Sequence, residues 1–376
     1  MGRRSQPVVL EQREALAEYP MIASLSLKNF RCFRSLSLSD LRRVNVVVGR
    51  NAAGKTALLE GIRLALGGTP STALALNSFR GIFHFGIMQS REQFESLWNP
   101  LFYRFDASQP VSTEITDSDG HIATLSIAYD ASKAVTPTSP RQQAGQQPAL
   151  TIIPLKFDRT SFTGEQSTLY ASVQQQGQLQ LDEGKELGLS TEFFASSWML
   201  NPQQNAQWFS QLSLENRERE VVDAVKREFS PLLSDLQVLS LSQYVPGSVY
   251  ATVPFIPSKI PLALLSSGIT KFFTILSAIL YRSGGVVLLD EVENGLYYDR
   301  LSALWTIMLR LAEENDTQIF VSTHSNECLQ ALNETIKEHP SSFMLLRAER
   351  DNGSSSVAQF EGPELQAALA KHGEVR

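Results

Sequence analysis

The sequence predicts an α/β protein with a mixed sheet flanked by helices and an inserted α+β lobe. The β-branched run Val44–Val48 enters a glycine turn and then a helical pattern. The apolar run Val286–Leu289 is followed by a helical pattern and then a second apolar run, 319–322. Strands that alternate with helices in this way are typical of a parallel sheet covered on both faces. Because the two passages lie near opposite ends of the chain, we expect both ends to build one head.

The other elements follow from local periodicity. Alternating apolar residues over 22–27 and a second apolar segment over 36–41 predict two edge strands. Apolar residues at helical spacing after the glycine turn predict a helix that stops at Gly67-Gly68, before Pro70. Further along, the patterns predict a Phe-rich loop from 79, a hairpin at Asp119-Gly120, a loop over 131–150, helices over 215–229, 269–281 and 301–311, strands over 343–346 and 357–360, and a small helix after Pro363.

These patterns divide the chain into three regions. Residues 1–20 are polar and charged, and we expect a disordered N-terminal extension there. Residues 21–105 and 262–376 form a discontinuous head, and residues 106–261 form an inserted accessory lobe.

Composition excludes several classes of protein. The chain has 376 residues, of which 43% are hydrophobic, and this is enough for a substantial core. A net charge of -6 argues against a protein that coats nucleic acid. The two cysteines have no zinc-type spacing and suit a reducing compartment. Apolar runs fall far short of the roughly 20 residues that span a bilayer, and the first twenty residues lack the apolar core of a signal peptide. We therefore expect a cytoplasmic protein with no membrane partner.

A phosphate-binding motif lies between the first buried strand and the helix after it. Residues Gly49, Arg50, Asn51, Ala52, Ala53, Gly54, Lys55 and Thr56 match G-x-x-x-x-G-K-[ST], the Walker A motif. In this motif the backbone N–H groups curl around phosphate oxygens, the lysine reaches the β and γ phosphates, and the hydroxyl residue binds Mg²⁺. A chance glycine-rich turn is the alternative, but the position between strand and helix favours nucleotide binding.

Acidic residues and a histidine follow two later strands. Asp290 and Glu291 end the run that begins at Val286, at the sheet edge where open α/β sheets bind ligands. We expect Asp290 to hold Mg²⁺ through water and Glu291 to polarise the attacking water, which favours ATP hydrolysis over a nucleotide sensor. His324 follows the strand at 319–322 and is expected to contact the γ-phosphate, with an ordinary loop histidine as the alternative.

A second helix start is also suited to an anion. Ser266, Ser267 and Gly268 begin the apolar helix with hydroxyl groups and an unhindered backbone. The same residues could be an ordinary N-cap, so their significance depends on the motifs around them.

Taken together, these motifs resemble the ABC-type ATPases of the SMC, RecF and OLD group, and most closely the compact bacterial AAA-family ATP-binding proteins without a long coiled coil. The resemblance covers 21–66 and 262–376 and is most specific at Walker A, at Asp-Glu-Val-Glu-Asn-Gly-Leu (290–296) and at Ser-Thr-His-Ser (322–325). It implies a P-loop NTPase fold of ABC ATPase type, with ATP and Mg²⁺ as cofactors.

The resemblance also implies a homodimer on ATP binding. Ser267 and Gly268 of one head would touch the γ-phosphate held by Lys55 of the other, and residues 293–295 would communicate across the interface. The sequence departs from the family at Ser-Ser-Gly-Ile-Thr, where relatives have Ser-Gly-Gly-Gln, and at Tyr297-Tyr298. Gln89 is a Q-loop candidate by position alone.

The sequence leaves the biological role open between several hypotheses. The first is an ATP-driven switch that controls a protein effector, such as a nuclease encoded nearby, or a DNA transaction, in anti-phage defence. A RecF-like repair factor is the alternative, since residues 21–63 carry eight basic side chains against two acidic ones, although these cations could also be scattered and solvated. A transporter ATPase subunit is less favoured because of the long middle region, and a P-loop GTPase because no N-K-x-D motif occurs.

Overall fold

The computed structural model describes residues 20–82, 87–88, 90–136, 151–196, 201–229, 232–241, 247–361 and 364. Its strands are β1 Ile22–Phe30, β2 Phe33–Leu38, β3 Val44–Val48, β4 Val111–Asp117, β5 Ile122–Tyr129, β6 Leu155–Thr160, β7 Gln166–Val173, β8 Leu179–Leu181, β9 Thr191–Phe194, β10 Asp235–Leu239, β11 Ser248–Thr252, β12 Ile260–Pro261, β13 Val286–Leu289, β14 Gln318–Ser322, β15 Phe343–Asp351 and β16 Ser354–Phe360. Its helices are α1 Lys55–Gly67, α2 Pro70–Ser78, α3 Arg91–Trp98, α4 Pro202–Leu214, α5 Glu218–Phe229, α6 Leu262–Leu265, α7 Ser267–Tyr281, α8 Leu301–Glu314 and α9 Asn326–Glu338.

A six-stranded mixed sheet carries the predicted motifs. Its order is β16-β15-β3-β14-β13-β9, in which only β16 runs antiparallel to its neighbour. Every residue of β3, β13 and β14 is buried, as expected for strands covered on both faces. The predicted α/β fold with a mixed sheet flanked by helices is therefore confirmed, and β3, β13 and β14 all end at the same edge.

The two faces of this sheet belong to different cores. Val47 and Leu288 pack with α1 and a second, antiparallel sheet, whereas Val46, Leu289 and Val321 pack with α7, α8 and α9. The alternation follows from the two-residue period of a strand. Helix α1 consequently lies between the two sheets, and the residues at its start are held by packing on both sides.

The second sheet has seven strands in the order β2-β1-β4-β5-β6-β7-β8, all antiparallel. Strand β1 pairs with β2 on one side and with β4 on the other, so the middle of the chain extends a sheet that its beginning starts. The inward side chains of the middle strands, such as Leu125 and Phe157, share one core with α1.

Residues 106–261, predicted as one inserted accessory lobe, are thus distributed over the whole fold. Strands β4 to β8 complete the antiparallel sheet, β9 forms an edge of the mixed sheet, and β10, β11 and β12 form a small third sheet. Helices α4 and α5 pack against α7 on the other side of the mixed sheet. The alternating pattern of the middle strands gives each an apolar face, and that face is covered by the head itself rather than by a separate core.

Two helices that the sequence patterns did not predict begin at a proline. Pro70 is the first residue of α2, whose N-cap Thr69 accepts a hydrogen bond from the Thr72 N–H, and Pro202 likewise begins α4 after its N-cap Asn201. Proline suits the first helical position, because that N–H has no partner within the helix and its φ is preset. Sequence periodicity missed α2, α4, α6 and α9, and it also missed α3, which lies in the predicted Phe-rich loop.

Four predictions lie wholly or largely outside the described residues. They are the extension over 1–20, of which only Pro20 is described, the Q-loop candidate Gln89, the predicted loop beyond 136, and the small helix after Pro363. Within the described ranges, no helix combines the length and apolar character needed to cross a membrane.

Candidate nucleotide-binding site

The Walker A residues form the turn between β3 and α1, as predicted. Gly54 is the N-cap of α1 with a φ of 113°, and no side chain caps the helix, which leaves its first N–H groups for an anion. Gly49 has a φ of 140°, and a Cβ there would lie 2.3 Å from the carbonyl oxygen of Ala348 on β15. Any larger residue at either position would strain the backbone and displace a neighbour.

Lys55 is folded back onto its own loop. Its Nζ donates hydrogen bonds to the carbonyl oxygens of Gly49 at 2.9 Å and Arg50 at 3.3 Å, and the residue is only 7% exposed. Burial lowers the pKa of Lys55 from its ordinary value, while the carboxylates of Asp290 and Glu291 oppose this shift. A partly desolvated ammonium held by neutral carbonyl groups is suited to exchange them for phosphate oxygens.

Thr56 and Asp290 meet across the sheet edge, as the motifs predict. The Thr56 hydroxyl donates to Asp290 Oδ2 at 2.9 Å, and the Ser322 hydroxyl donates to Asp290 Oδ1 at 2.5 Å. Asp290 is 4% exposed, so this carboxylate is oriented and protected from solvent. Hydroxyl and carboxylate oxygens are the donors that Mg²⁺ prefers, and these two residues fit the ion.

Glu291 and His324 lie together beyond this pair. The Glu291 N–H donates to Ser322 Oγ at 2.9 Å, and its Oε2 accepts from Asn294 Nδ2 at 2.6 Å. His324 Nδ1 lies 3.6 Å from Glu291 Oε1 and 3.2 Å from Glu293 Oε1, and its backbone N–H also donates to Glu293 at 3.0 Å. Glu291 has a positive φ of 50°, so the carboxylate that follows Asp290 leaves the strand at a sharp turn.

The residues at the start of α7 lie on the other side of this turn. Ser266 caps the helix, its Oγ accepting from the Gly268 N–H at 3.2 Å, and Ser266 and Ser267 are both exposed. A Cβ on Gly268 would lie 2.8 Å from the Gly295 carbonyl oxygen. The helix start therefore packs closely on the segment that follows Glu291.

Lys271 connects this helix to the turn that follows β13. Its Nζ donates to the carbonyl oxygens of Glu291 and Asn294, both at 2.9 Å. Burial lowers the pKa of Lys271 to about 8, and the carboxylates of Glu293 and Glu291 oppose the shift. No motif includes this lysine, although its place one helical turn after Ser267 can be read from the sequence.

A cleft of about 680 Å³ runs along the Walker A loop. It is lined by Arg31, Cys32, Asn51, Ala52, Gly54, Lys55, Thr56, Ala57, Arg80, Tyr103, Arg104, Phe105, Glu291, Arg350 and Gly353. Ser266, Ser267 and Gly268 are absent from this lining. Ser267 instead contributes to a separate cavity of about 250 Å³, together with Lys271, Asp290, Asn294 and Gly295. Ser267 and the Walker A loop of one chain thus approach Asp290 from different cavities.

Sequence reasoning missed a charged cluster on α1. Glu60 is completely buried, and its carboxylate accepts from Arg80 Nε at 2.7 Å and Arg80 Nη2 at 2.9 Å. Arg31 Nε lies 3.1 Å from the same carboxylate. The available signal was an acidic residue inside the apolar stretch of α1, at a position that helical periodicity places on the buried face. The cluster fixes both arginines where they line the cleft.

Half of the basic side chains counted over 21–63 are paired within the chain. Arg31 pairs with Glu60, Arg42 with Glu361, Arg43 with Asp316 and Arg63 with Glu186. The partners lie on different parts of the surface and interior, so these four cations do not form one groove.

A family model described as "AAA domain" matches residues 24–229, which is more than half of the chain. The chain belongs to this AAA family. A second model, described as "AAA domain, putative AbiEii toxin, Type IV TA system", matches residues 211–329. With its Walker A residues, Asp290 and Glu291 at one sheet edge, the protein is an AAA-family ATPase, and the predicted resemblance to AAA-family ATP-binding proteins is confirmed.

Individual proteins resemble this AAA-family chain at low identity. An "ATP/GTP phosphatase" of Helicobacter pylori is 22% identical over 344 residues, which are 85% of this chain and 89% of the relative. The SMC head bound to the C-winged helix domain of ScpA is 14% identical, with a TM-score of 0.49 over 93% of this chain and all of that one. An SMC head from Pyrococcus furiosus, bound to the C-terminal domain of ScpA, is 12% identical, with a TM-score of 0.48 over 95% of this chain and all of the other.

Proposed function

We propose that this ATPase is a molecular switch whose heads join on ATP and thereby control a protein effector. The observation that carries the proposal is the position of Ser267. It is exposed beside Gly295 and does not line the cleft of its own Lys55. It shares a separate cavity with Asp290, whose carboxylate accepts a hydrogen bond from Thr56 of the Walker A loop. An exposed, anion-ready helix start with no nucleotide cleft of its own is suited to the γ-phosphate held by a second copy.

Within each head, hydrolysis follows from the groups around Asp290. The N–H groups of the Walker A loop and Lys55 bind the β and γ phosphates, and Thr56 and Asp290 hold Mg²⁺. When bound, Mg²⁺ stabilises the negative charge that develops on the phosphate oxygens. Glu291 accepts a proton from the attacking water, and His324 contacts the γ-phosphate at the same sheet edge.

The Glu291 carboxylate already carries a hydrogen bond from Asn294, and the Lys271 ammonium holds the Glu291 backbone carbonyl. Both contacts involve the turn on which Ser267 and Gly268 pack. Contact of Ser267 with a nucleotide on the other head would therefore change the position of Glu291 through this turn. Hydrolysis would then depend on dimer formation.

An effector partner has support from the family description. The model that matches 211–329 is described as a putative toxin of a type IV toxin–antitoxin system, which favours a role in controlling growth or defence against phage. A nuclease encoded nearby is the partner that we propose. Direct binding of DNA has weaker support, because four of the eight basic residues over 21–63 are paired within the chain.

Mixing two inactive variants tests the shared site. Lys55→Ala removes the phosphate contact, and Ser267→Arg blocks the helix start. Each variant alone should be inactive. In a mixed dimer, Lys55 of the Ser267→Arg chain faces Ser267 of the Lys55→Ala chain, so one complete site forms. Hydrolysis by the mixture should therefore recover to a substantial fraction of the wild-type rate.

If Ser267→Arg alone hydrolyses ATP at the wild-type rate, each head works independently and the switch mechanism is wrong. If both variants are inactive alone and the mixture stays inactive, the two heads do not share a site, and the mechanism is wrong as well. Co-purification of the wild-type protein from its native host, with and without ATP, tests the effector. A nuclease retained only in one nucleotide state supports the proposal, whereas ATP-dependent binding of plain duplex DNA without a protein partner supports the repair alternative.

A further inference from the structure

The cleft along the Walker A loop has a second wall that phosphate binding does not use. Tyr103, Arg104 and Phe105 line it in the same cavity as Lys55 and Thr56. These three residues form a turn between α3 and β4, outside every motif recognised in the sequence. The cavity of about 680 Å³ lies within the size range of small-molecule sites.

This aromatic turn is joined to the Walker A loop by the β15–β16 hairpin. Arg350 Nη1 donates to the Ala52 carbonyl oxygen at 3.4 Å, and Arg104 Nη2 donates to the Asn352 carbonyl oxygen at 3.4 Å. Arg350 and Asn352 are two residues apart on this hairpin. The hairpin therefore contacts both the phosphate loop and the aromatic turn, and it holds them on the same cleft. A ligand whose phosphates rest on the loop can therefore reach the turn with its other end.

The backbone of the turn keeps an aromatic ring exposed. Arg104 and Phe105 both have a positive φ, 54° and 62°, which is unfavourable for residues other than glycine. The Phe105 N–H donates to the Phe102 carbonyl oxygen at 3.0 Å, and Phe102 itself is buried, which anchors the turn. Phe105 is nevertheless 67% exposed, and the Arg104 guanidinium lies 5.2 Å from the Tyr103 ring centroid.

Aromatic rings and guanidinium planes are the groups on which nucleobases stack. Stacking uses the face of the base and tolerates any base, because every base has a π-face. Among the described residues that line the cleft, Arg31, Arg80, Arg104, Arg350 and Lys55 are basic and Glu291 is the one carboxylate, so the same cavity also attracts a polyphosphate.

We propose that Tyr103, Arg104 and Phe105 form the nucleobase platform of the Walker A cleft. The platform binds a purine by its face and not by its edge, so ATP and GTP bind with similar affinity. This inference rests on the proposed binding of the triphosphate at Lys55, and it assigns the other end of the ligand.

Calorimetry on the full chain with ATP, GTP and inorganic tripolyphosphate, each with Mg²⁺, separates the contribution of the nucleobase to binding from that of the phosphates. Wild type should bind ATP and GTP within about threefold of each other. Phe105→Ala should weaken both by about 5- to 100-fold, the effect expected from removing one stacking contact, and leave tripolyphosphate affinity unchanged. Phe105→Trp should restore nucleotide binding.

Phe255→Ala is the matched control, because Phe255 is also an exposed phenylalanine with a positive φ, 67°, and does not line the cleft. It should bind all three ligands as wild type does. Unchanged ATP affinity in Phe105→Ala, or equal loss of ATP and tripolyphosphate, overturns the platform alone. A preference for one purine above 100-fold overturns recognition by the face, and a wild type that binds none of the ligands overturns the proposed function as well.

Discussion

The Thr56 hydroxyl donates a 2.9 Å hydrogen bond to Asp290 Oδ2, although 234 residues separate the two in sequence. The contact joins the end of the phosphate loop to the end of β13. It also defines the two oxygen donors between which a divalent cation would be held.

Asp290→Asn should therefore reduce Mg²⁺-dependent ATP hydrolysis by on the order of 100-fold or more, because a neutral amide binds a hard cation poorly. The Mg²⁺ concentration needed for half-maximal rate should rise in a titration. Asp299→Asn removes an exposed carboxylate from the same stretch of chain and should leave both quantities unchanged. Equal Mg²⁺ dependence in Asp290→Asn and wild type would contradict the assignment.

Glu291→Gln should retain ATP and accumulate as a dimer. Loss of the general base lowers kcat by about 100- to 10,000-fold, while the phosphate contacts remain. Light scattering with ATP should show a doubled mass for this variant and a monomer mass for Lys55→Ala. A mass that does not depend on ATP in wild type and Glu291→Gln alike would refute the shared-site mechanism.

Glu60→Gln should destabilise the fold by about 3 to 5 kcal/mol, because it leaves two guanidinium groups near a buried position without their carboxylate. Urea unfolding of the two proteins measures this difference. The control is Glu361→Gln, since the pair between Arg42 and Glu361 is largely exposed and should contribute less than about 1 kcal/mol. Similar unfolding midpoints for both variants would mean that the buried cluster is not structural.

Lys271 predicts a pH dependence of hydrolysis. With a pKa of about 8, the amine is charged at pH 7 and loses its proton as the pH rises. Burial lowers this pKa, and the facing groups of Glu293, Glu291, Cys328 and Asp290 oppose the shift. A charged donor holds a carbonyl more strongly than a neutral amine, so the wild-type rate should fall between pH 7 and 9.

Lys271→Met should lower the rate at pH 7 by about tenfold and remove this alkaline limb from the profile. Lys259→Met, which changes an exposed lysine in the loop before β12, should keep the wild-type profile. If Lys271→Met shows the same decline above pH 8, another group causes it.

The sequence predicted the parts of the site that are local or lie at one sheet edge. Walker A is a continuous segment, and the meeting of Thr56 with Asp290 follows because β3 and β13 are parallel and end on the same side. The pairing of Glu60 with Arg80 could not be predicted in the same way, since a charge in a helix does not reveal which distant charge will face it.

The packing of the middle of the chain was harder to predict from sequence for a related reason. Alternation predicts the hairpin of β4 and β5, but the apolar pattern does not specify which core covers the inner faces of these strands. Strand β9 is only four residues long, so its place beside β13 depends on tertiary packing and not on local pattern.

The position of β9 beside β13 has a mechanical consequence. The backbone N–H of Asp290 donates to the carbonyl oxygen of Phe194, the last residue of β9, at 2.8 Å. The residue that we propose as a Mg²⁺ ligand is therefore joined through its backbone to the segment that follows the antiparallel sheet. Because β9 pairs along the whole of β13, a protein that binds the middle of the chain and displaces β9 would move the backbone at Asp290 without entering the nucleotide cleft.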